Sequence, residues 1–189
     1  MEECTEQEVY RLLPLVSAQR REQALKYKHT FGQYCCLKSW LMLYDLLDER
    51  MKGLMEEWRY NEHGKPYLPN GPYFSISHCK EGIAVAIDDE PVGIDIEAIR
   101  HADKDLIKRT MSEQEKSIID NRKSKIEKDR TFTRLWTQKE AIVKAEGVGI
   151  CSFEQLQSTI ENRTSNIETI DTAKYIYSIA YGKLHCFSA

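Results

Sequence analysis

The sequence predicts an α+β protein built from two similar-sized halves. Three patterns predict it. Apolar residues recur at helical spacing through 33–51. Three short runs alternate with period two across 73–97. Helical spacing then returns over 103–147, before two further short strands. With 189 residues, 41% of them hydrophobic, the chain can bury a real core, as one domain or as two small halves.

Residues 5–13 and 17–28 read as helices, with Ser17 as N-cap before AQRREQALKYK. In 33–51, Leu37, Trp40, Leu41, Leu43, Tyr44, Leu46 and Leu47 recur at i, i+3, i+4 and i+7, the mark of a core-facing helix. The stretch NEHGKPYLPNGP at 61–72 is loaded with turn formers. Strands are expected at 73–77, 83–88 and 92–97. Lys80-Glu81-Gly82 and Asp89-Glu90-Pro91 turn between them, which predicts an antiparallel meander. Ser112 and Glu115 spell a capping box. The charged run RKSKIEKDR at 122–130 reads as an exposed loop or helix end, and a helix over 129–146 stops at Gly147, a residue suited to a left-handed terminus. Short strands near 174–180 and 183–188 flank Tyr181-Gly182. The two halves meet near residues 89–100.

The net charge of −3 gives no global basic field for nucleic acid, although a local anion site is still allowed. The acidic start MEECTEQEVYRLL lacks both the basic residues and the apolar run of a signal peptide. The longest apolar run, 83–87, is too short to span a bilayer. A soluble protein of the reducing cytoplasm is expected. The six cysteines (4, 35, 36, 79, 151, 186) form no C-x-x-C pair, so buried thiols are expected rather than disulfides or a zinc site.

Two stretches place carboxylates where they need a counter-charge. In VGIDIE, 92–97, the aliphatics face one way, while Asp95 and Glu97 face the other with Cα atoms roughly 6–7 Å apart. An element covering that polar face would make both carboxylates costly without a partner. A hard divalent cation such as Mg²⁺, which takes oxygen ligands, would resolve the conflict. In FTRLWTQKEAIVKAEG, 132–147, Trp136, Glu140 and Lys144 are spaced by four and share a helix face, with Lys139 and Val143 beside them. Glu140 is the candidate third ligand. Taken alone, Glu140–Lys144 is an ordinary i, i+4 pair contributing about 0.2–0.5 kcal/mol. A third group, Lys65 in a Gly/Pro turn with Ser77 and His78 at a strand end, can donate to phosphate oxygens.

The order G-K-P (64–66), F-x-x-S-H (74–78), V-G-I-D-I-E (92–97) and W-x-x-K-E-A-x-x-K (136–144) resembles the 4′-phosphopantetheinyl transferases, with a weaker match in SAQRREQALKY at 17–27. The resemblance implies a reaction. The phosphopantetheine arm of coenzyme A passes to a serine of an apo acyl or peptidyl carrier protein, and adenosine 3′,5′-bisphosphate leaves. It implies Mg²⁺, in some members Mn²⁺. The position of Asp95 midway along the chain resembles the pseudo-dimeric type, a monomer with a coenzyme A half (1–90), a metal and catalytic half (91–189), and the active site between them. Carried over by residue, Asp95, Glu97 and Glu140 resemble the metal ligands, with Glu140 also the base. Lys139 and Lys144 resemble diphosphate contacts, Lys144 offsetting charge in the transition state. Lys65, Ser77 and His78 resemble phosphate contacts, and Arg20 a residue near the 3′-phosphate. Cys79 replaces the usual Ser or Thr after S-H, and GQYCCLKS at 32–39 lacks the usual Arg-Ser/Thr.

Residues 104–130 lie where family members contact the carrier. Lys108, Arg109, Arg122, Lys123, Lys125, Lys128 and Arg130 could meet an acidic partner, or form a solvated surface with the interleaved Glu113, Glu115 and Glu127. Two other functions fit some of the same residues. One is a non-catalytic module binding coenzyme A or a carrier, and the other is a metal-dependent nucleotide phosphohydrolase.

Overall fold

The computed structural model describes residues 4–149, 156–157 and 166–182. The fold is α+β, with helices packed against small antiparallel sheets. The expected strand at 183–188 lies outside the described residues.

Thr5 caps α1 (Glu6–Leu12), its hydroxyl accepting from the Glu8 N–H. Pro14 then turns Leu13–Leu15 into a 3₁₀ segment. Ser17 caps α2 (Ala18–Leu25) as expected, accepting from the Arg20 N–H. Helix α3 (Thr30–Leu46) buries Tyr34, Cys35, Cys36, Leu37, Trp40 and Leu43. It ends earlier than its apolar pattern suggests, because Leu47 turns extended while staying buried. The turn-rich stretch folds into a small hairpin of β1 (Arg59–Tyr60) and β2 (Pro66–Tyr67).

Strands β3 (Tyr73–Cys79) and β4 (Gly82–Asp88) pair antiparallel, as expected. The predicted three-stranded meander does not form. Strand β5 (Val92–Ala98) ladders instead with β7 (Tyr175–Tyr181), which also pairs with β6 (Ile167–Asp171), giving the order β5-β7-β6. Strand β3 reaches β5 through side chains. The hydroxyls of Ser75 and Ser77 accept the N–H groups of Ile94 and Ile96, at 3.1 and 3.2 Å. Those buried donors would otherwise have no ladder partner.

Between β5 and β6 come α4 (Lys104–Thr110), α5 (Glu113–Asp120) and α6 (Lys125–Glu146). The Ser112–Glu115 capping box forms as expected. A second one, Ser124–Glu127, starts α6 at Lys125 rather than 129, so most of the charged run is helix. Gly147 ends α6 in the left-handed conformation, φ 72°.

The largest core cluster gathers Val9, Leu12, Leu37, Trp40, Leu43, Trp58 and Phe74, all from the first ninety residues. Two others, around Met111, Ile119 and Phe132 and around Ala141, Ile142 and Ala180, belong to the remainder.

Candidate active site

Strand β5 and helix α6 carry the acidic residues, and one glycine decides how close they come. A Cβ on Gly93 would lie 1.9 Å from the Ala141 carbonyl oxygen and 2.4 Å from the Ala145 nitrogen. Only a residue without a side chain lets α6 lie directly on the strand here. That approach brings Lys144 to Asp95, with Nζ 2.6 Å from Oδ1.

Asp95 is 4% exposed. Its Oδ1 also accepts from Ser77 Oγ at 2.9 Å, and Lys144 donates to the same Ser77 oxygen at 3.0 Å. Together with the bond from Ile96 N–H, the Ser77 hydroxyl uses one donor and both acceptor positions. The remaining Asp95 oxygen, Oδ2, is buried without a partner.

Glu97 and Glu140 face the same cavity, which has a volume of about 430 Å³. Burial and then the Asp95 charge push the Glu140 carboxyl up to about 7, with Lys144 pulling the other way and Glu97 adding a smaller upward push. Burial and Asp95 likewise raise Glu97, with Arg100 and Lys144 working the other way. His78 stands on the exposed side of β3 with its ring 5.8 Å edge-on from Phe31. Desolvation and then the Lys144 charge lower its pKa. Arg20 lines the far wall, held by the Cys36 carbonyl at 2.9 Å and Ser39 Oγ at 3.3 Å, with its guanidinium 4.7 Å from the centre of the Trp58 ring.

Thus Arg20, Ser77, His78, Asp95, Glu97, Glu140 and Lys144 meet at one cavity. Two predicted residues stand elsewhere. Lys139, expected on a diphosphate, is fully buried and ion-paired with Glu115 at 2.8 Å, because its helix position points away from the cavity into α5. Lys65, expected at a phosphate, lines a neighbouring cavity of about 260 Å³ that shares Glu140 and Lys144 with the first. Its ammonium donates to the carbonyls of Val92 and Ala145 at 3.3 and 3.4 Å, and burial lowers its pKa to about 8. Arg130, read as meeting an acidic carrier or as part of a solvated surface, is tied to Asp171 and the Thr172 carbonyl.

Sequence reasoning passed over Gly93, Ser75, Trp58 and Arg100. The signal for Ser75 was present: S-x-S in β3 has the same period as the residues it serves in β5. Arg100, 5.5 Å over the Trp136 ring, had no local signal.

The acidic residues supply only carboxylate oxygens, one of them an unpartnered buried atom, and two of the three carboxyls have proton affinity raised first by burial and then by mutual repulsion. That chemistry fits a hard divalent cation. Among the described residues, no three His, Cys, Asp or Glu side chains are already gathered as a ligand cluster, and the Lys144 ammonium serves as the counter-charge to Asp95.

An α+β protein whose strand and helix present carboxylates and an ammonium group to one cavity has the makings of a phosphate-handling site. Comparison with known proteins narrows this class. A model of the 4′-phosphopantetheinyl transferase superfamily matches residues 91–185. The chain is 30% identical over 150 residues to 4′-phosphopantetheinyl transferase ffp of Bacillus subtilis, covering 77% of this chain and 66% of that protein. It is 29% identical over 150 residues to 4′-phosphopantetheinyl transferase Sfp of Bacillus subtilis (strain 168), with the same coverage. It is 34% identical over 134 residues to 4′-phosphopantetheinyl transferase AcpT of Salmonella typhi, covering 67% of this chain and 68% of that one. The chain belongs to the 4′-phosphopantetheinyl transferase superfamily. The match spans about two thirds of the length of these relatives.

Proposed function

We propose that this protein transfers the 4′-phosphopantetheine arm of coenzyme A to a serine of an apo acyl or peptidyl carrier protein. The observation that carries the reading is the convergence of Asp95, Glu97, Glu140 and Lys144 with Ser77, His78 and Arg20 on one cavity. Family membership supplies the reaction. The two halves, 1–90 and 91–189, form a pseudo-dimer acting as a monomer in the cytoplasm, with the coenzyme bound between them. The unpaired thiols of Cys4, Cys35, Cys36 and Cys79 suit a reducing compartment.

Asp95, Glu97 and Glu140 would hold Mg²⁺ or Mn²⁺. When bound, the ion neutralises charge on the coenzyme's diphosphate and on the leaving phosphate. The carrier serine oxygen attacks the phosphorus that bears the pantetheine arm. The bond from that phosphorus to the bridging oxygen breaks, and adenosine 3′,5′-bisphosphate departs with the electron pair. Glu140, which faces the cavity from α6, is placed to take the serine proton, directly or through a water. Lys144 offsets the charge that builds on the leaving oxygen. Arg20, already fixed by Cys36 and Ser39, grips an outlying phosphate without having to be ordered first. His78 lines the same side and donates to a phosphate oxygen, whereas Ser77, read as a phosphate contact, spends its one hydroxyl proton on Asp95 and reaches a phosphate only by giving up that bond.

The test is a mass measurement. After incubation with coenzyme A, Mg²⁺ and a panel of apo carriers, a pantetheinyl mass gain on a carrier supports transfer. Binding without a gain, or coenzyme breakdown without a carrier, rejects it. Neither a non-catalytic module nor a phosphohydrolase accounts for the whole constellation, because a hydrolase needs only the acids and a binding module needs no base.

A further inference from the structure

Lys139 and Glu115 take no part in the chemistry above, yet they form a buried ion pair beside it. We propose that this pair is a positioning device that fixes the rotation of α6 and so keeps Glu140 turned toward the cavity, an inference that rests on the transferase reading. Lys139 is 0% exposed and Glu115 is 4% exposed. The Lys139 ammonium lies 2.8 Å from Glu115 Oε2, and that same oxygen accepts the Ser112 N–H at 2.8 Å, closing the cap of α5. Nζ also donates to the carbonyl of Leu156, beyond the end of α6. One ammonium therefore joins the start of α5, the middle of α6 and residue 156.

Lys139 and Glu140 are neighbours on a helix of 3.6 residues per turn, so their side chains point about 100° apart. Anchoring the first on α5 sets the direction of the second. Lys144, one turn beyond Glu140, shares that orientation on the cavity side. Stability alone does not require such a pair, since replacing both partners of a buried ion pair with apolar groups is often neutral or stabilising. Breaking it on one side only is costly, because the remaining charge is left buried.

This asymmetry provides the test. Glu115→Leu with Lys139→Met removes both charges together and is compared with wild type in melting temperature, transfer kinetics and amide exchange. The double variant is expected to stay folded and to melt somewhat below wild type, because the Ser112 cap bond is lost with Glu115. Its kcat for carrier modification falls at least tenfold, its KM for coenzyme A stays within about twofold, and amide exchange across 137–144 quickens. A folded double variant with wild-type kcat overturns the proposal. So does a raised KM with unchanged kcat, which would return Lys139 to substrate binding. Glu115→Gln with Lys139→Met, which keeps the cap and leaves no buried charge, covers the case in which the first double variant does not fold. It is expected to lose at least about threefold in kcat with KM unchanged, and a wild-type kcat there overturns the proposal as well. If the wild-type protein itself modifies no carrier, the transferase reading fails on its own. Exchange at 137–144 then decides the positioning role, with quickening supporting it and no change refuting it.

Discussion

Asp95 is the residue on which the site turns. It is buried, shares one oxygen between Ser77 and Lys144, and leaves the other without a partner. Asp95→Ala is expected to lower transfer by at least about a hundredfold, in line with the loss of a preorganised electrostatic group. The variant should keep a native far-UV circular dichroism spectrum, because the partly exposed Lys144 is not left stranded in the core. Retained near-full metal-dependent activity would refute the assignment. Lys65 gives a pH prediction. Burial lowers its pKa to about 8 from an ordinary 10.5, so between those values the unfolded chain holds a proton that the folded chain has released. Its contribution to stability therefore rises with pH across that window and is lost as pH falls through about 8. Denaturant midpoints measured from pH 7 to 10.5 should rise less in Lys65→Met than in wild type. The pairs Asp95–Glu97 and Glu140–Lys144 were legible in the sequence from local periods of two and four, and the motif resemblance, not the periods, implied that the two pairs meet. The fate of Lys139 was not legible, because its partner sits on another helix, and a side chain beside a functional one gives no local sign of which way it is pulled.

Among the elements, the seating of α6 on β5 does most to build the site. Gly93 permits it, and any side chain there meets helix backbone rather than a flexible tip. Gly93→Ala is expected to destabilise the protein by about 1–3 kcal/mol, the range for an overpacked core. Transfer should fall further than stability, since Glu140 and Lys144 ride on the displaced helix. A thermal melt beside a rate measurement checks this, and a variant with wild-type rate would show that α6 need not lie so close. The existence of β3, β4, β5 and α6 was readable from periodicity. The partner of β5 was not. Alternation says which face of a strand is buried but not which strand lies beside it, and β7 comes from much later in the chain. The true start of α6 was written as S-x-x-E at 124–127, but it sits inside a run so charged that it read as an exposed loop or helix end.

For the molecule as a whole, the prediction concerns linkage. A ligand bound between residues from both parts of the chain stabilises the folded state by about 2.7 kcal/mol at a hundredfold excess over Kd. Coenzyme A with Mg²⁺ should therefore raise the melting temperature, and a chelator should reduce that rise. In Asp95→Ala the chelator should make little further difference. Asn61 offers a second check. Its side chain in the β1–β2 hairpin donates to the Gly147 carbonyl at 2.8 Å, tying the early part of the chain to the end of α6. Asn61→Ala should lower the melting temperature and the coenzyme-induced rise together. An unchanged rise would mean that this tie does not help shape the binding cavity.

Ser75 and Ser77 have one more consequence. They fasten β5 to β3 as two pins rather than as a continuous ladder, so continuity of the chain between those strands is not what keeps them aligned. Sliding by a single residue would present Ile76 where a hydroxyl is needed, so the join has one setting. A protein nicked in the turn at 89–91 should hold together as a complementing pair of fragments, with its catalytic groups still in line.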